Sequence, residues 1–516
     1  MALASYFDKT LLAASSVLSG FDPRAFTAVL ERHVVGIAFD DKAAGSPEGQ
    51  VLLDLLVNIL ARLYPVIGFH ATGAVAEALT GRFVEHAQRV NRRIELERDY
   101  HQVTAWIVVG GIAPPSPRNA IFLGSDGWLS KVSASTPLTC SESTNPFGAA
   151  GAACLGAANL FRVVFGESLA PAATVDQDVI VSVLDLDPST LAPLNPPLGA
   201  VDLREVVLVG AGAIGNAALW TLARTSQVNG KMHIVDGEAV DLTNVQRYVL
   251  TDEASVGVPK ASLAAAALAG TAIDTHPHPV RWGAYLRERE NWRFDRVAVA
   301  LDSAEDRIRV QGALPRWIVN AWTQTSDLGV SRHTLVGPYA CLACLYLPAA
   351  PRKNLDEVVQ EALGLKGQPS LEYVRRLLYT REPVGERFLV EVASALGISD
   401  ATPLMRFATV PLLQFYQQGV CGGEVVRLRG AGSNQPPELQ AEVPLAFQSA
   451  LAGVLLAAAL VADAASILKA PPPVVTRANL LRPLGPQPSQ PIAKHPSGRC
   501  ICQDADYIAA YEAKYR

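Results

Sequence analysis

The arrangement of apolar and polar positions predicts a first half that alternates strands and helices. Apolar runs at residues 63–69 and 105–109 predict strands, and a helical spacing covers residues 74–92. A hairpin is predicted at residues 120–133, and a small-residue helix from Asn145 through Phe165, with a proline near its first turn. This order predicts an α/β domain over residues 1–200.

The second half repeats this order. Strands are predicted at residues 206–209, 233–235, 297–301 and 318–323, with an extended segment at 331–336. An alanine-rich helix follows Pro444, as one follows Pro146 in the first half. We therefore predict a duplicated architecture, with the alternative that residues 1–200 form an unrelated α/β domain, because the repeat lies in the elements and not in the letters.

Four further segments have patterns of their own. Residues 187–197 are rich in proline and predict a linker between the halves. Residues 352–416 show amphipathic helical spacing and interrupt the second half. The apolar stretch at 450–462 predicts a buried helix, because it is shorter than the roughly 20 residues that cross a bilayer. The proline-rich segment 471–496 is expected to be extended.

A glycine-rich loop follows the strand at residues 206–209. Gly210, Gly212 and Gly215 are spaced as in loops that present amide N–H groups to phosphate at the start of a helix. The next strand ends at Asp236, whose carboxylate can accept hydrogen bonds from ribose hydroxyls. Glycines at this spacing alone indicate a nucleotide site of unspecified kind.

A second polar motif favours ATP over NAD. Asp241, Asn244 and Arg247 follow Asp236 closely, and an asparagine and an arginine three residues apart suit a polyphosphate beside the ribose. The alternative is an NAD-binding Rossmann domain in which this asparagine and arginine occur by chance.

With these motifs, the sequence resembles the adenylating superfamily of ubiquitin-activating enzymes and the ThiF and MoeB enzymes. The resemblance covers residues 200–345 and 419–465, with Lys260 and a strand that ends at Asp302. It implies that Asp236 binds the ribose of ATP and that Asn244, Arg247 and Lys260 bind its phosphates. It further implies that Asp302 binds magnesium and that Arg247 and Asp302 are catalytic, because cations neutralise the charge on the leaving pyrophosphate.

The same resemblance implies a domain plan, an α/β fused pseudo-dimer of two Rossmann-like adenylation domains. Residues 1–200 would be the inactive domain, and residues 201–350 with 419–470 the active one. Residues 351–418 would be a helical insertion that carries or shields a catalytic cysteine, or else only a packing subdomain. Residues 471–516 would be a proline-rich C-terminal tail with zinc ligands.

Four of the seven cysteines form two close pairs. Cys341 and Cys344 are three residues apart, where ThiF-like enzymes place the first half of a structural zinc site. Cys500 and Cys502 form the second pair, although their spacing departs from the two intervening residues usual in the family. His495 is a possible substitute ligand, and the alternative is that all four are ordinary core residues.

Cys421 stands apart, between a glycine-containing turn and two glycines. In the family a cysteine at this position attacks the acyl adenylate, so the resemblance implies that Cys421 is the catalytic thiol. No histidine or lysine adjoins it in sequence. Cys140 and Cys154 lie in small or apolar contexts and are expected to be structural.

The charge composition bears on which classes of partner to expect. The chain has 44 Lys and Arg against 49 Asp and Glu, a net charge of −5, which gives no reason to expect nucleic acid or an anionic membrane as a partner. The first 20 residues contain Asp8 and Lys9 and do not have the pattern of a secretory signal. We expect a cytoplasmic protein, and the paired cysteines fit metal binding in a reducing cell.

The function expected from sequence is activation of a ubiquitin-like protein. ATP and Mg²⁺ would adenylate the C-terminus of a β-grasp carrier, Cys421 would form a thioester, and a conjugating enzyme would receive the acyl group. The resemblance extends to the activating enzymes of bacterial antiviral conjugation systems. The alternatives are a ThiF- or MoeB-like adenylyltransferase for a sulfur carrier or peptide, without a thioester, and an inactive binding scaffold.

Overall fold

The protein is built on two seven-stranded sheets. The computed structural model describes residues 3–116, 119–348, 354–429, 443–468, 474–486 and 489–516. One sheet belongs to the first 182 residues and the other begins at Val201, on the far side of the predicted linker.

The first half runs from Phe7 to Ser182. Its elements are α1 (Phe7–Ser15), α2 (Pro23–Arg32), β1 (Val35–Asp40), α3 (Asp41–Gly45), α4 (Pro47–Leu60), β2 (Val66–Thr72), α5 (Ala74–Val90), β3 (Glu95–Glu97), β4 (Ala105–Val109), β5 (Ala120–Asp126), β6 (Leu129–Ser133), α6 (Phe147–Phe165) and β7 (Asp178–Ser182). The strand order is β3-β2-β1-β4-β5-β6-β7, in which β6 and β7 are antiparallel to their neighbours and the other pairs are parallel. The predicted helix at 74–92 and hairpin at 120–133 are confirmed.

The second half begins with the glycine loop. Its first elements are β8 (Val201–Val209), α7 (Ala213–Leu222), β9 (Val228–Val235), α8 (Lys260–Ala267), β10 (Ile273–His278), α9 (Trp282–Arg287), β11 (Arg296–Val299), α10 (Ala304–Gly312), β12 (Trp317–Thr323), β13 (Leu328–His333) and α11 (Leu342–Tyr346). The segment predicted as extended at 331–336 therefore begins three residues earlier and ends at His333.

A helical insertion follows α11. It contains α12 (Leu355–Ala362), α13 (Gln368–Thr380), α14 (Glu386–Ala395), α15 (Leu412–Phe415), a π-helix at Tyr416–Val420 and α16 (Glu424–Arg429). These elements bury an apolar core of their own, with Val374, Leu389 and Phe415 fully enclosed. Val420 and Val425 belong to this core, so the insertion extends past the expected boundary at residue 418 and includes Cys421.

The chain then returns to the second sheet. The remaining elements are α17 (Ala446–Ala465), β14 (Val475–Ala478) and α18 (Ala505–Tyr515). The second strand order is β10-β9-β8-β11-β12-β13-β14, and its pairs are parallel up to β12 and antiparallel from there. Both sheets thus have the same order and the same strand directions. The segment expected to be wholly extended from residue 471 supplies a strand of this sheet.

One apolar core joins the two halves. Helices α6 and α17 pack on each other and on α4 and α7, with Phe161 and Phe447 in ring contact. By length and composition both long helices could cross a membrane, yet 89 % and 94 % of their most apolar windows are buried inside the protein. The burial of α17 agrees with the helix predicted at residues 450–462, although α17 has 20 residues and is longer than predicted.

Candidate functional site

The glycine loop lies between β8 and α7, at the carboxyl edge of the second sheet. Gly210 has φ of +97°, and a Cβ there would lie 2.5 Å from the carbonyl oxygen of Ala300. A Cβ on Gly215 would lie 2.1 Å from the carbonyl oxygen of Gly210. A Cβ on Gly212 would lie 3.4 Å from the hydroxyl oxygen of Tyr248. The loop therefore turns tightly and brings main chain to the cleft, as close approach to phosphate requires.

Asp236 is fixed at the end of β9 by this loop. Its carboxylate accepts hydrogen bonds from the amides of Ala211 at 2.8 Å and Glu238 at 2.9 Å. Burial raises the pKa of Asp236, while the Glu238 amide and the Lys260 ammonium oppose the shift. A carboxylate at the end of such a strand suits the hydroxyl groups of a ribose.

Lys260 is buried at the start of α8. Its Nζ donates to Glu238 Oε2 at 2.7 Å and to the Tyr248 hydroxyl at 3.3 Å. Burial would lower the pKa of Lys260, but Tyr248, Glu238 and Asp236 together raise it above the ordinary value. A cation held beside the glycine loop suits a phosphate.

The segment between β9 and α8, residues 236–259, carries Asn244 and Arg247. Asn244 Oδ1 accepts from the Asp241 amide at 3.0 Å, which closes a capping box, and the Arg247 guanidinium lies 5.6 Å from the centre of the Tyr248 ring. Burial lowers the pKa of Arg247.

The first half holds this loop in place. Arg62, in the turn after α4, donates to the carbonyl oxygen of Val245 and, at 3.0 Å, to that of Thr251. Asn58 donates to the carbonyl oxygen of Val249 at 2.9 Å. Neither residue was found from the sequence, because each lies more than 180 positions from its partner and belongs to no motif.

Asp302 follows β11 on the opposite wall and is exposed to solvent. Arg307 braces the turn behind it by donating to the carbonyl oxygens of Leu301 and Ala321. A carboxylate is a ligand that Mg²⁺ prefers, and this one is exposed in the cleft, so Asp302 fits a magnesium ligand.

Most of the residues expected to bind nucleotide line one open cleft. It contains Gly210, Gly212, Asp236, Asn244, Arg247, Lys260 and Asp302. Gly215 lies beneath the loop and packs on Gly210.

Cys421 lines the same cleft. It follows the π-helix, and its amide donates to the carbonyl oxygen of Tyr416 at 2.9 Å. Burial raises the pKa of the thiol, while Lys9 and a side-chain hydrogen bond with Tyr416 lower it. Cys140 and Cys154 lie in the core of the first half, where burial raises the pKa of Cys140 to about 11.

The four paired cysteines meet at one point. The Sγ atoms are 3.9 Å apart between Cys341 and Cys344, 3.5 Å between Cys341 and Cys500, and 3.4 Å between Cys344 and Cys502. Four thiolates around a tetrahedral zinc with Zn–S of about 2.3 Å lie about 3.8 Å apart, so this buried cluster fits zinc. His495 is not required as a ligand, since its ring nitrogen contacts Ser497 at 2.8 Å while its amide donates to Cys344 Sγ at 3.4 Å.

The equivalent edge of the first sheet is built differently. Phe39 pairs with strands on both sides as Val209 does in the second sheet. When these two residues are aligned, the positions of Gly210, Asp236 and Asp302 are occupied in the first half by Asp40, Thr72 and Ile112. The Asp40 carboxylate accepts from the amides of Ala43 at 2.8 Å and Gly111 at 2.7 Å.

The match to known families follows the same division. Residues 200–465, more than half of the chain, match the model of the ThiF family. The chain belongs to the ThiF family. Residues 38–166 match a model described as prokaryotic E2 family C. The cysteines in that range are Cys140 and Cys154, both buried, so this part of the ThiF-family protein presents no thiol to solvent.

Relatives of this ThiF-family protein include activating enzymes. It is 44 % identical over its full length to the uncharacterized protein y4jF of Sinorhizobium fredii, covering 98 % of that protein. It is 40 % identical over 15 % of its length to the SAMP-activating enzyme E1 of Haloferax volcanii, covering 27 % of that enzyme. It is 29 % identical over 26 % of its length to the NEDD8-activating enzyme E1 catalytic subunit of Dictyostelium discoideum, covering 30 % of that subunit.

Among solved structures, the chain is similar to Escherichia coli MccB with ATP. It is 19 % identical, with a TM-score of 0.25, over 34 % of this chain and 52 % of that one. Family membership supports E1-like adenylation chemistry and use of ATP, as the glycine loop and its cations predict.

Proposed function

We propose that this protein activates the C-terminus of a ubiquitin-like β-grasp protein and passes it through a thioester on Cys421 to a conjugating enzyme. The observation that carries the proposal is the single cleft in which Arg247, Asp302 and Cys421 all lie. A residue that binds the phosphates and a thiol that accepts the acyl group must both reach one adenylate, and a shared cleft permits it.

In the adenylation step, the carboxylate of the carrier attacks the α-phosphate of ATP and pyrophosphate leaves. Asn244, Arg247 and Lys260 would hold the phosphates, and Asp236 the ribose. Since both reactants are anions, the fixed cations stabilise the charge that develops on the transferring group. Asp302 would hold Mg²⁺, which supplies further neutralisation of the departing pyrophosphate when bound.

The first half supports this step as an inactive copy of the adenylation domain. Its sheet has the same order and directions as the second, but Asp40 fills the loop position and Thr72 and Ile112 replace the two carboxylates. A carboxylate in place of the glycine turn repels phosphate. Its role would be to hold the Arg247 loop through Arg62.

In the thioester step, Cys421 Sγ attacks the acyl carbon of the adenylate and AMP leaves. The side chain is partly exposed and lines the cleft, so the thiol can be reached from it. A thiolate is the strongest side-chain nucleophile near neutral pH, so a cysteine suits this transfer. The acyl group would then pass to the cysteine of the conjugating enzyme.

One observation favours a second candidate. Burial raises the pKa of Cys421, which reduces the thiolate fraction in the free protein. The alternative is therefore adenylation of a sulfur carrier or peptide without a thioester. An inactive scaffold is disfavoured by the intact set of Asp236, Lys260 and Asp302 in the cleft.

The test is a thioester assay with a panel of β-grasp proteins that end in glycine, including those encoded beside this gene. With MgATP, the wild-type protein should form an adduct that dithiothreitol cleaves. Cys421→Ala should lose the adduct and keep carrier-dependent ATP–pyrophosphate exchange, because the thiol acts after adenylation. Exchange without any thiol-sensitive adduct in the wild-type protein would favour the sulfur-carrier alternative.

A further inference from the structure

A lysine of the first half reaches the cysteine of the second. Lys9 lies on α1, is buried, and lines the same cleft as Cys421. Its Nζ donates a hydrogen bond to the carbonyl oxygen of Cys421, across 412 positions of sequence. The contact joins the N-terminal helix to the turn that carries the thiol.

The close approach of α1 to this turn depends on Gly423. This residue has φ of +95°, and a Cβ there would lie 2.0 Å from the carbonyl oxygen of Asp8. No side chain fits in that space, so glycine is required for α1 to lie against the turn. Gly423 is therefore needed for packing against Asp8, the residue next to Lys9.

The charges around the pair come from three elements. Arg247 and Asp241, from the loop after β9, act on Lys9 with opposite signs. Tyr416, from the π-helix, hydrogen-bonds to the Cys421 side chain. Glu424 and Arg406 form an ion pair within the insertion, next to the turn. Burial, followed by Arg247, lowers the pKa of Lys9 to about 7, whereas the Cys421 thiolate and Asp241 raise it.

We propose that Lys9 is a positioning residue for the thioester step, which holds the Cys421 turn through its carbonyl oxygen and stabilises the thiolate by its charge. The proposal rests on the proposed function of Cys421. It gives the first half a part in the second reaction step, in addition to its support of the Arg247 loop.

The acyl transfer begins with a proton transfer within the pair. The Cys421 thiol gives its proton to the Lys9 amine, directly or through water, which leaves a thiolate beside an ammonium. The Sγ–C bond to the acyl carbon then forms, and the bond from that carbon to the AMP oxygen breaks with its electron pair on AMP. Because each charge favours the other, the ammonium lowers the pKa of a thiol that burial would otherwise keep protonated.

The test is the pH dependence of Cys421 alkylation by iodoacetamide, which needs no carrier protein. The intact chain would be alkylated at pH values from 6 to 10, and mass spectrometry of its peptides would then measure the alkylated fraction of Cys421. Lys9→Met should raise the midpoint by about one pH unit and slow alkylation below it about tenfold. Lys9→Arg should stay within about threefold of wild type, because the charge is kept.

Two further variants separate this role from a folding defect. Gly423→Ala should raise the midpoint although Lys9 is intact, because the Cβ displaces α1. Lys366→Met, at an exposed lysine of the insertion, should change nothing. Lys9→Met should also keep ATP–pyrophosphate exchange.

An unchanged alkylation profile in folded Lys9→Met would overturn the proposal. If exchange were lost as well, Lys9 would be assigned to the phosphates of ATP instead. Failure of the wild-type protein to form a thioester would contradict the function proposed for Cys421, while the alkylation profile would still report on Lys9.

Discussion

The two sheets of this protein have the same strand order, but their carboxyl edges differ in three positions. The second sheet ends in Gly210, Asp236 and Asp302. The first sheet places Asp40, Thr72 and Ile112 at the corresponding points. The framework is therefore shared, and the difference in chemistry lies in the residues that follow the strands.

We propose that the first half, which lacks the glycine loop at this edge, still serves the reaction. The first half contributes Arg62 and Asn58 to the main chain around Arg247, and Lys9 to the turn of Cys421. Each contact fixes main chain in the second half.

The largest expected effect is at Asp302. Asp302→Ala removes the carboxylate that would hold magnesium, so carrier-dependent ATP–pyrophosphate exchange should fall about a thousandfold or more. Ile112→Ala, at the equivalent position of the first sheet, should leave exchange within about twofold of wild type, since no metal ligand is removed there. Equal losses in both variants would mean that the two edges are not distinct in function.

The zinc cluster marks a second difference between the halves. Among the described residues, the four-thiol group formed by Cys341, Cys344, Cys500 and Cys502 belongs to the second half. We expect about one equivalent of zinc per chain. The double variant Cys500→Ser, Cys502→Ser should lose this zinc and melt at a lower temperature than the wild-type protein. Elemental analysis and thermal melting measure both. Zinc retained by the double variant would contradict the site.

The contact between the halves at Arg62 should have a smaller effect. Arg62→Ala leaves two buried carbonyl oxygens, of Val245 and Thr251, without this donor. Each unsatisfied group costs about 1–3 kcal/mol, so we expect lower stability and exchange reduced about tenfold, since the Arg247 loop is loosened. Arg82→Ala, an exposed arginine on α5, is the control. Wild-type exchange in Arg62→Ala would show that the loop needs no support.

A pH-dependent contact between the halves should have the smallest effect. Burial would raise the pKa of Asp54, but His86, bonded to it at 3.0 Å, and Arg224, at 2.5 Å, hold it at about 2. Because the folded pKa is depressed, this stability is present above about pH 4 and is lost as the pH falls towards 2. It amounts to about 2 kcal/mol.

Acid melting curves test this contact. Asp54→Asn should lower the melting temperature at pH 6 and lose less further stability between pH 4 and 2 than wild type. Glu77→Gln, an exposed carboxylate on α5, is the control. Parallel curves for wild type and Asp54→Asn would remove Asp54 from the acid response.

The sequence predicted the elements whose signals are local. The glycine loop, the strand that ends at Asp236 and the paired cysteines each lie within a few residues, so spacing identified them. The register that aligns Asp40 with Gly210 could not be predicted, because it depends on hydrogen bonds between distant strands. Lys9 and Arg62 were missed for the same reason, since a single buried cation belongs to no sequence motif.

The boundary of the insertion shows a further limit. The expected end at residue 418 followed the return of the family resemblance at 419. In the structure, Val420 and Val425 pack with the insertion and not with the second sheet. Apolar spacing alone does not show which neighbouring core a short helix joins.

The most direct test of the account is the number of nucleotides that one chain binds. Isothermal titration with MgAMPCPP, an ATP analogue that does not release pyrophosphate, should give one site per chain. That site should be lost in Gly215→Val, where a side chain meets the carbonyl oxygen of Gly210, and kept in Thr72→Ala of the first half. Two sites per chain, or one that survives Gly215→Val and is lost in Thr72→Ala, would contradict the division into an active and an inactive half.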